Sequence, residues 1–145
     1  MKYLIVEDDY IDAQVLSKSL KKTDYDSKIT VCLYAKDCLE KLKEQNFDCI
    51  FIDYFLPDMN GDELFERIQQ LDFCVPIIII TGHGDETLAV HLMKKGVRDY
   101  IPKGKIIETD FKKVLDRVFL DQKCLEENQR LNRSIASRIK SYDLI

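Results

Sequence analysis

The sequence has few residues that break helices, few histidines and no tryptophan. Its 145 residues include three prolines, five glycines and two histidines, and tryptophan is absent. The cysteines are odd in number, have no CxxC or CxxxC spacing, and three of them lie in or beside apolar runs; they are Cys32, Cys38, Cys49, Cys74 and Cys124. This pattern favours buried thiols in a reducing compartment over a zinc site or a disulfide framework.

Long apolar runs and a broad basic field are also absent. The formal net charge is −4 and the acidic and basic residues are intermixed, which disfavours direct binding of nucleic acid. No apolar run approaches the length of a membrane span, and Met1 and Lys2 lead straight into a short strand candidate without a signal peptide. We therefore expect one cytoplasmic domain that has no membrane segment.

Five short apolar runs alternate with helical patterns along the chain. The runs predict strands at 2–6, 28–33, 48–53, 76–80 and 99–101. Continuous apolar strands are typical of a parallel sheet that helices cover on both faces. The predicted fold class is α/β, a flavodoxin-like doubly wound sheet of five parallel strands in order 2-1-3-4-5, with strands 1 and 3 flanking the switch point.

The last part of the sequence predicts an extended C-terminal helix. No glycine or proline follows Gly104, so a helix that begins near Thr109 meets no breaker. Residues spaced by seven, among them Val118, Leu125 and Ile139, suggest an imperfect coiled-coil seam. We expect a domain over residues 1–122 and a helical extension or signalling-helix linker over 123–145; a solvated, frayed tail is the alternative.

Residues suited to phosphate or metal chemistry stand at the ends of four strands. Glu7 and Asp8 follow the first strand, Asp53 ends the third, Thr81 follows the fourth and Lys103 follows the fifth. Because ligands bind outside the carboxyl ends of parallel strands, we expect these side chains to share one site. Crowded carboxylates repel one another, and an oxygen-only ligand set suits Mg²⁺ better than zinc.

Asp53 is the candidate nucleophile of this site. Its carboxylate is already ionised and can form an acyl phosphate by in-line attack on a phosphoryl donor. Mg²⁺ and Lys103 would neutralise the transferred charge, and the hydroxyl of Thr81 would donate to a phosphoryl oxygen. Each residue alone is explained as well by a loop acid, a helix cap or a solvated cation, but their joint placement favours a site.

This ordered set resembles the receiver domain of two-component response regulators over about residues 1 to 120. The matching motifs are Ile5-Val6-Glu7-Asp8-Asp9, Asp53 followed by Pro57 and Gly61, Thr81, and Asp99-Tyr100-Ile101-Pro102-Lys103. The resemblance implies that Asp53 accepts a phosphoryl group from the phosphohistidine of a sensor histidine kinase or a histidine phosphotransfer protein. Such a domain catalyses its own phosphorylation and dephosphorylation and is not a turnover enzyme.

The resemblance also implies roles for the remaining site residues. Mg²⁺ would be held by Asp8, Asp53 and the backbone carbonyl of Phe55, with Glu7 acting through water. Lys103 and Thr81 would contact the phosphoryl group. Tyr100 would be an aromatic switch that turns into space vacated by Thr81 and reshapes the surface of helix 4, strand 5 and helix 5.

Some positions depart from the family pattern or tune it. Gly104 stands where the family usually has proline after a cis peptide bond, so we expect a trans or rearranged loop. His83, two residues beyond Thr81, is a candidate to affect the rate of dephosphorylation, with a solvated loop histidine as the alternative. Phe55 is expected to shield the site or pack locally.

Other functions fit the sequence less well. An aspartyl-phosphate hydrolase would place a second acid where the chain has Phe55, and a nucleotide-binding protein would want glycines in the first loop. A degenerate receiver that serves as a phosphate-independent dimerisation or binding module is the main alternative. We also expect a homodimer through helix 4, strand 5 and helix 5 or through the C-terminal helix, or an effector module beyond it.

Overall fold

The computed structural model of the chain describes residues 1–71, 74–82 and 86–143. Strands and helices alternate along these residues. The strands are β1 (Lys2–Val6), β2 (Lys28–Cys32), β3 (Cys49–Asp53), β4 (Ile77–Thr81) and β5 (Asp99–Pro102). The helices are α1 (Tyr10–Thr23), α2 (Ala35–Glu44), α3 (Gly61–Gln69), α4 (Glu86–Lys95) and α5 (Phe111–Asp143), and a short 3₁₀ turn (Lys103–Lys105) follows β5.

The five strands form one parallel sheet in the order β2-β1-β3-β4-β5, which confirms the predicted fold class. Each strand begins and ends within one residue of its prediction. In the central pair, Val6 of β1 lies beside Ile52 of β3. The residues that follow Val6 and Ile52 therefore emerge at the same edge of the sheet, next to each other.

The apolar strands are buried because helices cover both faces of the sheet. Successive strand side chains point to opposite faces, so Ile50 and Ile52 pack with α2, α3 and α4, whereas Cys49 and Phe51 pack with α1 and α5. β3 and β4 are buried along their whole length. The core consists of these two layers, and the carboxyl edge of the sheet is left for polar side chains.

Helix α5 is 33 residues long, which corresponds to roughly 50 Å. It begins at Phe111, two residues after the predicted start. Its side chains are buried against the sheet as far as Gln122, whereas Leu131, Ile135 and Ile139 are at least half exposed. The extended helix is thus confirmed, and its last part carries apolar side chains outside the core.

The prediction of buried thiols is right for three cysteines and wrong for two. Cys32, Cys38 and Cys49 are buried in the strand and helix layers. Cys74 and Cys124 are exposed because Cys74 precedes β4 at the outer end of the sheet and Cys124 lies beyond the buried part of α5. Among the described helices, none combines the length and the apolar character that crossing a membrane requires.

Candidate functional site

Three carboxylates converge at the carboxyl edge of the central strands. One oxygen from each of Glu7, Asp8 and Asp53 lies within 4.8 Å of the other two. Glu7 and Asp53 are buried, with 4% and 5% of their surfaces exposed, whereas Asp8 is exposed and opens the cluster to solvent. The convergence expected from the strand order is therefore present, and its donor set consists of oxygen atoms, which suits a hard divalent cation.

Lys103 reaches the same cluster from the end of β5. Its Nζ atom lies 2.9 Å from Oε2 of Glu7, 3.0 Å from Oδ2 of Asp12 and 3.2 Å from Oδ2 of Asp53. Burial lowers the pKa of Lys103, but the hydrogen bonds to Glu7 and Asp12 and the charge of Asp53 outweigh it and hold the pKa above its ordinary value. The ammonium group is therefore a fixed positive charge beside Asp53.

Glu7 is the carboxylate whose protonation is most sensitive to its surroundings. Burial raises its pKa from 4.5 to about 7, an effect that hydrogen bonds from Lys103 and the backbone N–H of Asp9 only partly offset. The negative charge of Asp53 pushes the pKa in the same direction as burial. In the metal-free protein, Glu7 therefore holds its proton to a higher pH than an ordinary glutamate does.

The turn after β3 holds the backbone next to the Asp53 carboxylate. The Phe55 N–H donates to Oδ1 of Asp53 at 3.4 Å, and Phe55 and Asn60 form an isolated antiparallel bridge. Gly61 closes the turn by donating its N–H to the Tyr54 carbonyl at 2.6 Å. A Cβ atom at position 61 would lie 2.9 Å from the Tyr54 Cα, so this close approach requires glycine.

Asp58, which was not among the predicted site residues, fixes the same turn to helix α2. Its carboxylate accepts hydrogen bonds from the N–H groups of Ala35 and Lys36, each at 3.0 Å. Burial raises the pKa of Asp58, but these bonds outweigh it and lower the pKa below its ordinary value. A signal existed, because Tyr34 at the N-cap of α2 provides no capping side chain and the first amides of that helix need another acceptor.

Two further acids in the first loop and helix also have defined roles. Oδ1 of Asp9 accepts from the N–H groups of Ile11 and Asp12 at 2.9 and 3.1 Å, so Asp9 caps α1. Asp12, in the first turn of α1, contacts Lys103 as described above and was not among the predicted site residues. The available signal was the position of Asp12. It lies four residues after Asp8, at the start of a helix that begins at the same sheet edge.

The remaining predicted residues lie around this cluster. Thr81 is fully buried at the end of β4, in register with Pro102 of β5. Tyr100 is half-buried and packs against the core layer formed with α2, α3 and α4. The Phe55 ring is half exposed and meets the Tyr54 ring edge-on, with ring centroids 4.8 Å apart, in agreement with local packing.

The loop after Lys103 agrees with the expectation drawn from Gly104. No peptide bond within the described ranges is cis, and Gly104 lies in the 3₁₀ turn with open space around the position of a Cβ atom. The chain therefore enters α5 through a trans bond and a short turn. The prediction for His83 concerns a position outside the described residues.

Comparison with known proteins identifies the family. The model of the response regulator receiver domain matches residues 3–116, so the chain belongs to the receiver-domain family of two-component response regulators. It is 32% identical over 117 residues to the transcriptional regulatory protein AfsQ1 of Streptomyces coelicolor, covering 79% of this chain and 51% of that protein.

A second relative and a solved structure agree with this result. The chain is 30% identical to the two-component response regulator ARR11 of Arabidopsis thaliana over 71% of its own length and 20% of the relative. The signal receiver domain of a LuxO repressor protein from Vibrio parahaemolyticus superposes with a TM-score of 0.71 at 28% identity, over 85% of this chain and 95% of that one. The chain thus spans between about a fifth and a half of the two curated relatives.

Proposed function

We propose that this chain is an active phosphoacceptor domain in which Asp53 takes a phosphoryl group from a phosphohistidine. The donor would be a sensor histidine kinase or a histidine phosphotransfer protein, the partners with which receiver domains generally interact. The observation that carries the proposal is the assembled cluster: the Asp53 carboxylate lies close to those of Glu7 and Asp8, and Nζ of Lys103 lies 3.2 Å from it. A degenerate receiver has no need to keep these residues together.

Mg²⁺ fits the donor atoms of this site. We assign Asp8, Asp53 and the backbone carbonyl of Phe55 as its ligands and Glu7 as a residue that acts through a bound water. The metal would supply positive charge to the oxygens of the transferred group. Asp8 is exposed, which suits a ligand at the entrance, whereas Glu7 and Asp53 are buried, and a divalent cation would offset their mutual repulsion when both are ionised.

The chain's own residues then carry the transfer. One carboxylate oxygen of Asp53 attacks phosphorus while the bond from phosphorus to the imidazole nitrogen breaks, and no base is needed because the nucleophile is ionised. Lys103 exchanges its contact with Asp53 for one with a phosphoryl oxygen. Thr81, at the end of the neighbouring strand β4, donates its hydroxyl to another oxygen. The catalysis is confined to loading and unloading of Asp53.

The signal would leave the site through Thr81 and Tyr100. Movement of Thr81 toward the phosphoryl group vacates space, and the half-buried Tyr100 ring turns into it, which changes the surface formed by α4, β5 and α5. This surface or the extension would then bind a partner. We propose residues 1–122 as the receiver domain and 123–145 as a helical extension, a division supported by the end of burial at Gln122.

Intact mass spectrometry tests the proposed function. The protein is incubated with acetyl phosphate and Mg²⁺. A mass gain of about 80 Da is expected, because one phosphoryl group takes the place of the hydrogen of the carboxyl group. Asp53→Asn must abolish the gain, and so must removal of the metal with EDTA. Asp26→Asn, a change of an exposed acid away from the cluster, is the matched control and should be loaded as the wild type is. Equal loading of wild type and Asp53→Asn contradicts the proposal.

A further inference from the structure

Asp12 binds the site lysine without belonging to the metal-binding carboxylates. Its Oδ2 atom lies 3.0 Å from Nζ of Lys103, slightly closer than the Asp53 oxygen at 3.2 Å. The carboxylate group capable of holding a cation consists of Glu7, Asp8 and Asp53 and does not include Asp12. The Asp12 side chain is 39% exposed, so its charge lies at the entrance of the site.

We propose that Asp12 is a positioning residue that acts through Lys103 and slows the loading of Asp53. The inference rests on the proposed function. An ammonium group has three N–H donors, and three carboxylates, those of Glu7, Asp12 and Asp53, lie within reach of Nζ. An incoming phosphoryl oxygen must therefore displace one of them before Lys103 can stabilise it.

The three contacts are not equally easy to displace. Glu7 and Asp53 would hold the metal ion, through water or directly, and carboxylates that do so would bind Lys103 less strongly. Asp12 keeps its hold because it lies outside that carboxylate group. Its negative charge, 3.0 Å from Nζ, then offsets part of the positive charge that Lys103 presents to a phosphoryl oxygen.

The charge of Asp12 adds a second effect at the entrance. The site has four carboxylates and one ammonium group, so its net charge stays negative even after a divalent cation binds. An anionic donor therefore approaches a negative region formed by Glu7, Asp8, Asp12 and Asp53. Repulsion of this kind grows with the charge of the donor and weakens with added salt. Removing the charge of Asp12 should help a highly charged donor more than a weakly charged one.

The test compares loading rates of Asp12→Asn and wild type in saturating Mg²⁺. Asparagine keeps an acceptor for Lys103 and removes only the charge. We expect the loading rate with acetyl phosphate to rise about three- to tenfold, and the rate with phosphoramidate, which carries less negative charge, to rise less. Raising the salt concentration should reduce the difference in loading rate between Asp12→Asn and the wild type. Asp12→Glu should restore the slow loading rate.

Asp37→Asn is the matched control, because Asp37 is the third residue of α2 as Asp12 is the third residue of α1. It removes the same first-turn charge without touching Lys103 and should leave the rate unchanged. Calorimetric titration with Mg²⁺ should give Asp12→Asn an affinity close to that of the wild type.

The outcomes separate this inference from the function on which it rests. A wild type that takes no phosphoryl group overturns both. If the wild type is loaded, three results overturn only the role given to Asp12. They are a loading rate of Asp12→Asn that is equal to or lower than that of the wild type, a rate gain that is the same for both donors, and a large loss of Mg²⁺ affinity in Asp12→Asn.

Discussion

The ammonium group of Lys103 lies 3.2 Å from Oδ2 of Asp53, although 50 residues separate them in sequence. Lys103 follows β5 and Asp53 ends β3. These two strands are not neighbours, because β4 lies between them. The lysine side chain therefore passes the end of β4, where Thr81 is buried. Before any phosphoryl group arrives, a positive charge already stands beside the proposed nucleophile.

Removal of this charge should slow loading without loss of metal binding. In Lys103→Gln, we expect the rate of phosphorylation by acetyl phosphate to fall on the order of 100-fold, since a charged donor to the transferred oxygens is missing. The affinity for Mg²⁺ should stay the same or rise, because Lys103 competes with the metal for the carboxylates. Lys105→Gln, an exposed lysine in the same 3₁₀ turn, is the control; a comparable fall there would refute the assigned role.

Glu7 should make the stability of the metal-free protein depend on pH. Its pKa is about 7 in the folded chain and about 4.5 in an unfolded one, so the folded state holds the proton more tightly between these values. The contribution of Glu7 to the free energy of unfolding is therefore complete below pH 4.5, falls as the pH rises toward about 7, and is constant above it.

Urea unfolding in EDTA between pH 5 and pH 8 measures this contribution. The difference in unfolding free energy between Glu7→Gln and wild type should grow in favour of the mutant as the pH rises to about 7. Saturating Mg²⁺ should suppress the difference, since the metal stabilises the ionised cluster. A difference that is independent of pH would show that burial does not raise the pKa of Glu7.

Two glycines near the site should respond in opposite ways to alanine. In Gly61→Ala, the new Cβ would lie 2.9 Å from the Tyr54 Cα and 3.2 Å from the Asp53 carbonyl oxygen, so we expect a loss of about 1–3 kcal/mol in unfolding free energy. In Gly104→Ala, the Cβ meets open space, and a gain of about 0.4–1 kcal/mol is expected from the less flexible unfolded chain. Chemical denaturation decides, and equal effects would contradict this account.

Asp58 should stabilise the fold and the metal site together. Asp58→Ala removes both acceptors of the first α2 amides, which should reduce the free energy of unfolding by about 0.5–2 kcal/mol. Because the same turn carries Phe55, the Mg²⁺ affinity should fall as well. Asp26→Ala, whose side chain makes no hydrogen bond within the described part of the chain, should change neither quantity. An unchanged Mg²⁺ affinity in Asp58→Ala would separate the turn from the metal site.

The end of α5 should be dispensable for folding. A chain that stops after residue 126 keeps the buried contacts of Phe111, Leu115 and Val118 and loses exposed side chains such as Ile135. We expect its unfolding free energy to change by less than about 1 kcal/mol, since little apolar area leaves the core. A loss of several kcal/mol would place the extension within the folding unit.

The fold and the acidic cluster were predictable because both follow from strand order. Buried apolar runs define the strands, and a parallel sheet with β1 beside β3 forces Glu7, Asp8 and Asp53 to the same edge. Thr81 and Lys103 follow from the same rule. Gly96 directly follows α4 and lies in the left-handed region at φ 115°, which glycine adopts without steric cost.

The contacts that escaped prediction depend on side-chain reach between elements. Asp58 binds amides 22 and 23 residues away, and Asp12 reaches a lysine 91 residues later. Local patterns hint that α2 needs another cap and that Asp12 lies near the site, but they do not name both partners of a pair, because the pairing depends on how helices α1 and α2 are rotated against the sheet. The exposure of Cys74 was missed because an apolar neighbourhood in sequence does not show whether a residue just before a strand is covered by another element.

The most direct measurement identifies the residue that carries the phosphoryl group. The protein is loaded with acetyl phosphate and Mg²⁺ and reduced with borohydride, which converts an aspartyl phosphate to homoserine, and its peptides are then sequenced by mass spectrometry. We expect homoserine at position 53, dependent on the metal and lost when EDTA is present. Homoserine at another aspartate, or an unmodified Asp53 in a folded protein, would contradict it.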